Sequence, residues 1–422
     1  MSASAAVPTI LPPETPVHSL PDVPSDPSRR GFLATSGLAV ASAVLPSSPL
    51  VPVSPEADPA DFERWMRLAN VPGMAMAEVR GARVDVRGWG VRRAADPNAL
   101  ATDESAPAPV DGDTVFEAAS LTKQVFAYLV HRLAMDGVID LDRPVREYLA
   151  LPNPEDARAA TITARHLLGH AGGWRNWRFD PAQRLVADFV PGSRWSYSGE
   201  GYVFLQRLLE ARTGQSIARL LRERVLQPLG MTRSAILWSP ALDAMLASPH
   251  TGRGAPIESF HVRTVRLARA ALEKEGKAAE DWTVAEAERL WPTLAGGNNA
   301  LPNNLLPNVA ASLLTSARDY GRFVAHLFDD PAGRAVLARM TTQVVTINEA
   351  LAWGAGVGLE REGGRTFFWQ WGDNNGFKHL LLGDAQARRA WIVFTNGNAG
   401  RAVYERVLRA ATGRDHAAFL WI

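Results

Sequence analysis

Apolar and polar positions divide this chain into strand-rich ends and a helical middle. Asp61 to Ala69 reads as a short helix. Pro72–Val79 and Val84–Val91 alternate branched or small apolar residues with polar ones, which predicts two strands joined through Arg80-Gly81-Ala82, with the glycine at the turn. Residues 94–113 form a polar, proline-containing loop. From Ser120 the period changes. Leu121, Val125, Phe126, Leu129, Val130 and Leu133 fall on one helical face, and Gly137 is the stop. Ala164–Leu168, Gly201–Ala211, Ile217–Val225, Val262–Lys274, Val284–Leu290 and Ser312–Phe328 read as further helices. Val357–Trp369 and Arg389–Phe394 read as strands separated by a glycine-rich turn and a loop, and Val403–Ala411 as a last helix. No internal repeat is visible. This order predicts an α/β unit plus an all-α lobe: one sheet built from both chain ends, with the helical lobe inserted. The expected sheet lobe covers about 56–118 and 340–422, and the helical lobe about 119–339. A cleft between two such lobes is a usual place for a site.

Composition narrows the chemistry. The chain has 422 residues, 46% of them hydrophobic, enough for a substantial core. A net charge of +1 gives no footprint for nucleic acid. There is no cysteine, which excludes disulfides, a thiol nucleophile and cysteine metal sites. After position 60 no apolar run is long enough to span a membrane. Residues 1–55 differ from the rest, being rich in Pro, Ser and Ala. Arg29-Arg30 precede a short apolar run, Leu33 to Leu45, and Ala41-Ser42-Ala43 offers a small-residue cleavage site. This stretch resembles a twin-arginine export signal followed by a Pro/Ser linker, which implies a periplasmic or secreted domain from 56 to 422. An unstructured cytosolic tail is the alternative.

Three clusters carry candidate chemistry. The first is Phe116-Glu-Ala-Ala-Ser120-Leu-Thr-Lys123. Lysine occurs only at 123, 274, 277 and 378 among 45 Lys and Arg residues, and a buried lysine can give up its proton where arginine cannot. Three residues apart on a helix, Ser120 and Lys123 share a face, so the amine can serve as base for the hydroxyl. An N-cap serine with a solvated lysine is the alternative. The second cluster is Pro191-Gly-Ser-Arg-Trp195-Ser196-Tyr197-Ser198-Gly199, a polar turn before an amphipathic helix, in which Tyr197 can share a proton with the pair. The third is Trp369-Gln370-Trp371-Gly372-Asp373, followed by Asn374-Asn375-Gly376-Phe377-Lys378; its glycines permit close approach of a ligand or backbone. For these two, a packed turn tyrosine and a hairpin with surface aromatics are the alternatives. His166 and His170 stand at a spacing that zinc sites use, but no glutamate follows the first and no cysteine is available, so no metal is expected.

In this order, with Val71-Pro-Gly-Met-Ala, Gln227-Pro-Leu-Gly-Met-Thr and the Asn308 to Tyr320 segment between them, these motifs resemble the serine β-lactamase and penicillin-binding-protein superfamily, in its class C-like branch. The resemblance covers roughly residues 60–415 and implies an antiparallel sheet with an inserted helical lobe. It implies Ser120 as acylated nucleophile, and Lys123 and Tyr197 sharing proton transfer. It places Gln370, Trp371 and Gly372 along the site, and the Ser120 and Asp373 N–H groups as oxyanion donors. No cofactor is implied. Two departures stand out. The Tyr-Ser-x turn ends in Gly199 where asparagine is common, and Gln370-Trp371-Gly372 replaces Lys-Thr-Gly, so the cation for a substrate carboxylate is missing unless Lys378 or Arg175 supplies it. Trp174, Trp177, Trp195, Trp369 and Trp371 are expected to wall an apolar pocket, with core packing as the alternative. The expected activity is hydrolysis of a small ester, amide or peptide, with weak or no β-lactam turnover. A penicillin-binding DD-peptidase or weak β-lactamase is the enzymic alternative, and a non-catalytic cell-envelope binding protein the other.

Overall fold

The computed structural model describes residues 58–95, 108–180, 182–294 and 301–421. The export-signal and linker reading of residues 1–55 falls outside them, as does most of the loop expected at 94–113.

The strands are β1 (Gly73–Arg80), β2 (Arg83–Gly90), β3 (Val115–Glu117), β4 (Leu314–Ser316), β5 (Gln343–Thr346), β6 (Leu351–Gly354), β7 (Gly358–Glu362), β8 (Arg365–Asn374), β9 (Phe377–Asp384) and β10 (Arg389–Thr395). The helices are α1 (Pro59–Leu68), α2 (Thr122–Met135), α3 (Ala164–Leu168), α4 (Gly199–Thr213), α5 (Ile217–Leu221), α6 (Phe260–Lys274), α7 (Val284–Leu294), α8 (Ala317–Asp329), α9 (Pro331–Met340), α10 (Gly400–Thr412) and α11 (Ala417–Trp421). Eight strands form one antiparallel sheet in the order β2-β1-β10-β9-β8-β7-β6-β5. The two chain ends meet where β1 pairs with β10, from Met74↔Thr395 to Arg80↔Arg389. β3 and β4 form a separate two-stranded ladder.

Alternation along the central strands feeds two cores. Leu381, Ile392 and Phe394 enter one, with α2 and α8; Leu380, Leu382, Trp391 and Val393 enter the other, with α1, α10 and α11. Burying one such aliphatic side chain is worth about 1.5–3 kcal/mol, so both faces fix the register of the strands.

Three expectations are corrected. The strand expected at 357–369 is a hairpin: Gly363 and Gly364, at φ 56° and 75°, turn the chain between β7 and β8. The loop expected before Arg389 is largely β9, which is buried on both faces and therefore shows no polar alternation. The helix expected at 312–328 begins at Ala317; Leu314–Ser316 is β4, and the Ser316 hydroxyl caps α8 by accepting from the Asp319 N–H at 3.2 Å. α8 packs on β1, β2 and β10, so the chain rejoins the sheet before residue 339.

Candidate active site

The turn that carries Ser120 is held from two sides. The Ala118 N–H donates to the Leu313 carbonyl at 2.7 Å. Thr122 Oγ1 donates to the Ala119 carbonyl at 2.5 Å and accepts from the Leu313 N–H at 3.0 Å. Ala119 has φ 49°, a left-handed conformation that a residue with a Cβ adopts only when its surroundings enforce it. A single 3-10 turn, Ala119–Leu121, then leads into α2. Ser120 stays partly exposed at this bend, while Lys123, one turn on, is 1% exposed.

Lys123 Nζ lies 3.0 Å from Ser120 Oγ and donates to the Ala310 carbonyl at 2.8 Å. No carboxylate pairs with it among the described residues. Burial without a counter-charge pushes the amine down to about 7 from its ordinary 10.5. An amine at that value is free to accept a proton near neutral pH, which a solvated lysine is not. Lys123 is buried, so the alternative of a solvated lysine beside an N-cap serine does not hold.

Tyr197 is held in place by its neighbours. The Ser196 N–H donates to the His170 carbonyl at 2.7 Å, and the Ser198 N–H to His170 Nδ1 at 3.0 Å. Ser198 Oγ donates to the Arg175 carbonyl and accepts from the Gly201 N–H, both at 3.0 Å, capping α4. The Tyr197 ring lies between His170, at 4.1 Å between centroids, and Trp371, at 4.8 Å. Lys123 Nζ stands 4.7 Å from the Tyr197 ring centroid. Gln370 Nε2 donates to Tyr197 Oη at 3.4 Å and to the Trp371 carbonyl at 3.0 Å. Burial pushes the phenol up, with hydrogen bonds from Ser120 and Gln370 acting the other way. Because His170 Nδ1 accepts, a neutral ring carries its proton on Nε2; burial and the nearby Lys123 hold it well below the usual histidine range.

β8 supplies the remaining wall. β7 pairs with β8 only as far as Trp369, which leaves residues 370–374 open on that edge. Antiparallel pairs alternate between bonded and non-bonded. Counting from the closing pair Asn374↔Phe377, the Trp371 and Asp373 N–H groups point away from β9. β8 packs on the Ala119–Leu121 turn, and a Cβ at Gly372 would lie 2.6 Å from the Ala118 carbonyl, so only glycine lets the two backbones approach this closely. His379 Nε2 bonds the Glu117 carbonyl at 2.7 Å and ties β9 to the strand that leads into Ser120. Ser120, Lys123, Tyr197 and Gln370 thus converge. The Asp373 side chain does not join them: it is exposed and pairs with Lys378 at 2.5 Å. Lys378 also bonds the Asn374 carbonyl at 2.9 Å and Asn398 Oδ1 at 3.4 Å, so its amine is already engaged by three acceptors.

The Gly199 departure has a steric cause. A Cβ there would lie 2.2 Å from the Trp177 ring, which fills the space that a third-position side chain would need. The Gly199 N–H is bound instead by Asn176 Oδ1 at 2.9 Å, and Arg178 pairs with the buried Glu200 at 2.9 Å. Gly199→Ala is expected to destabilise the protein by about 1–3 kcal/mol through overpacking. Adding Trp177→Ala should recover part of that loss in urea denaturation; equal stability of Gly199→Ala and the parent would contradict the contact.

The aromatic expectation is corrected for two of its five tryptophans. Trp174 and Trp369 are core residues, whereas Trp177, Trp195 and Trp371 keep exposed surface. Sequence reasoning missed Trp421, the Ala310 carbonyl and the His170 ring. Only the His170 spacing drew notice, as one that zinc sites use though no metal was expected; His166 and His170 accept from the Thr163 and Ser198 N–H groups. Among the described residues, no group of three His, Asp or Glu side chains is placed to hold a metal.

The family model described as Beta-lactamase matches residues 62–414. The chain is 31% identical over 184 residues to "Esterase EstB" of Burkholderia gladioli, covering 37% of this chain and 46% of that protein. It is 34% identical over 160 residues to "Penicillin-binding protein 4" of Amycolatopsis lactamdurans, covering 34% and 42%. The matched stretches thus span less than half the length of these curated relatives. Among solved structures, the D-alanine carboxypeptidase AmpC from Burkholderia cenocepacia superimposes with a TM-score of 0.60 at 18% identity, covering 84% of this chain and 99% of that one, a likeness of fold.

Proposed function

The chain belongs to the Beta-lactamase family, and on that premise we propose that it is a serine hydrolase that cleaves a neutral ester through an acyl-enzyme on Ser120. The observation that carries this reading is the buried Lys123 amine, held 3.0 Å from Ser120 Oγ without a carboxylate partner. Lys123 takes the hydroxyl proton as Oγ attacks the carbonyl carbon. The Ser120 and Asp373 N–H groups receive the developing oxyanion. The opposed shifts of the two groups divide the work: the lowered amine is the base that takes the Ser120 proton, and the raised phenol gives its own proton to the leaving oxygen and regains one from the Lys123 ammonium, so that both groups are neutral before water attacks. Water then attacks the acyl-enzyme, and the same groups return Ser120 to its resting form.

An ester is favoured over a D-alanyl peptide or β-lactam by Gln370 and Lys378. Gln370 is neutral where the family's cation stands, and Lys378 is already paired with Asp373. A hydrogen bond to a charged group contributes about 1.5–3 kcal/mol, so its absence costs a carboxylate substrate roughly 10- to 150-fold. The relatives named esterase and penicillin-binding protein span both readings. A substrate panel separates them. p-Nitrophenyl butyrate should be turned over with a kcat/KM about two orders of magnitude above that of a chromogenic cephalosporin or a D-Ala-D-Ala peptide. Equal or better turnover of the cephalosporin or the peptide would overturn the ester reading.

A further inference from the structure

Beside Tyr197 lies an aromatic surface that the proton transfer does not use. Trp371 lies against Tyr197 with its ring tilted by 34°, and Trp421 adjoins Trp371 and Trp195 from α11. The Trp421 ring centroid is 4.6 Å from Trp195 and 6.2 Å from Trp371. Trp195, Trp371 and Trp421 are each half-buried, so all three keep some exposed surface.

α11 is only five residues long, too short to hold its own shape, and its position is enforced from outside. His416 Nδ1 lies 2.8 Å from Glu360 Oε1, and the Ala418 N–H donates to Glu360 Oε2 at 3.0 Å; both side chains are fully buried. Arg401 Nη2 donates to the Phe419 carbonyl at 3.1 Å, and the Phe419 ring is buried. A buried carboxylate on β7 thus fixes the turn of chain that delivers Trp421, an arrangement far more specific than covering an apolar patch demands.

The leaving atom of the substrate must sit at Tyr197 Oη to receive its proton. Of the rings that adjoin Tyr197, Trp371, at 4.8 Å between centroids, and Trp195, at 6.2 Å, both neighbour Trp421. We propose that Trp371, Trp195 and Trp421 form the subsite for an apolar, ring-bearing leaving group, and that Trp421 sets the size it accepts. The proposal rests on the serine-hydrolase reading. Trp421 and the Glu360–His416 anchor act on binding of the alcohol moiety, not on the bonds made and broken at the carbonyl.

The test is a set of acetate esters whose alcohols differ in size and little in acidity: methyl, benzyl and 2-naphthylmethyl. All pass through one acetyl-enzyme, whose hydrolysis rate is read from the p-nitrophenyl acetate burst. In the parent, kcat/KM should rise along the series. In Trp421→Ala the naphthylmethyl-to-methyl ratio should fall about tenfold, with the deacylation rate within twofold of the parent, and Trp421→Phe should restore most of the ratio. Trp421→Leu, which keeps apolar bulk and removes the flat ring, gives the same reading if the alanine variant folds poorly. An unchanged ratio, or a fall shared equally by all esters and by deacylation, overturns the subsite. Absence of Ser120 labelling and of all ester turnover in the parent overturns the serine-hydrolase reading and the subsite with it.

Discussion

Ser120→Ala should remove covalent labelling by a fluorophosphonate and lower ester kcat by about four to six orders of magnitude, while leaving stability within about 1 kcal/mol of the parent. The two halves of this result have separate causes. The hydroxyl is the one group at the bend beside both the buried amine and the Tyr197 phenol. Ser198, the serine of the Tyr197 turn, is committed: its hydroxyl donates to the Arg175 carbonyl and caps α4. Stability is spared because Lys123 keeps the Ala310 carbonyl as acceptor when Oγ is gone, and the bend is held by Ala118, Leu313 and Thr122 rather than by the serine side chain. Labelling that persists in the variant would move the nucleophile elsewhere. A variant that loses both labelling and its unfolding transition would reassign the serine to holding the turn.

The residues that move protons were legible because their relation is local. A serine and a lysine three apart on a helix meet whatever the tertiary fold, and the lysine stands out in an arginine-rich chain. The neutral Gln370 was legible for the same reason, as a residue type at a motif position. What escaped depends on contacts distant in sequence. The Ala310 carbonyl that holds Lys123 comes from 187 residues away. The ring that props Tyr197 belongs to His170, which the sequence offered only as half of a histidine pair without the further ligands a metal needs. Gly199 could be seen to depart from the family, but the reason, Trp177 lying against it, is a packing fact. Strand β9 was invisible because both its faces are covered, which erases the alternation by which a strand is recognised. Trp421 gave no periodic signal, since α11 is only five residues long and is placed by the buried Glu360–His416 pair together with the buried Ala418 and Phe419.

Lys123 carries the second large effect, and it reaches stability as well as rate. The base must be neutral to accept the Ser120 proton. With the amine lowered to about 7, kcat/KM should climb about tenfold per pH unit below pH 7 and level off above it. Lys123→Arg places a cation that cannot deprotonate at the same spot, and should cost about 10²- to 10⁴-fold without restoring the acid limb at any pH. The same shift is a stability term. Between about pH 7 and 10.5 the unfolded chain holds a proton on Lys123 that the folded chain releases, so stability from this group rises with pH across that window. Below pH 7 the full penalty, on the order of 5 kcal/mol, is present. Lys123→Met removes it but leaves the buried Ala310 carbonyl without its donor, at about 1–3 kcal/mol. The inactive methionine variant should therefore be more stable than the parent by about 2–4 kcal/mol at pH 7 in urea denaturation, with the advantage shrinking by pH 9.5. A gain independent of pH would point to better packing, and a loss would show that the amine carries no buried-charge penalty, leaving the serine without the base on which its reactivity depends.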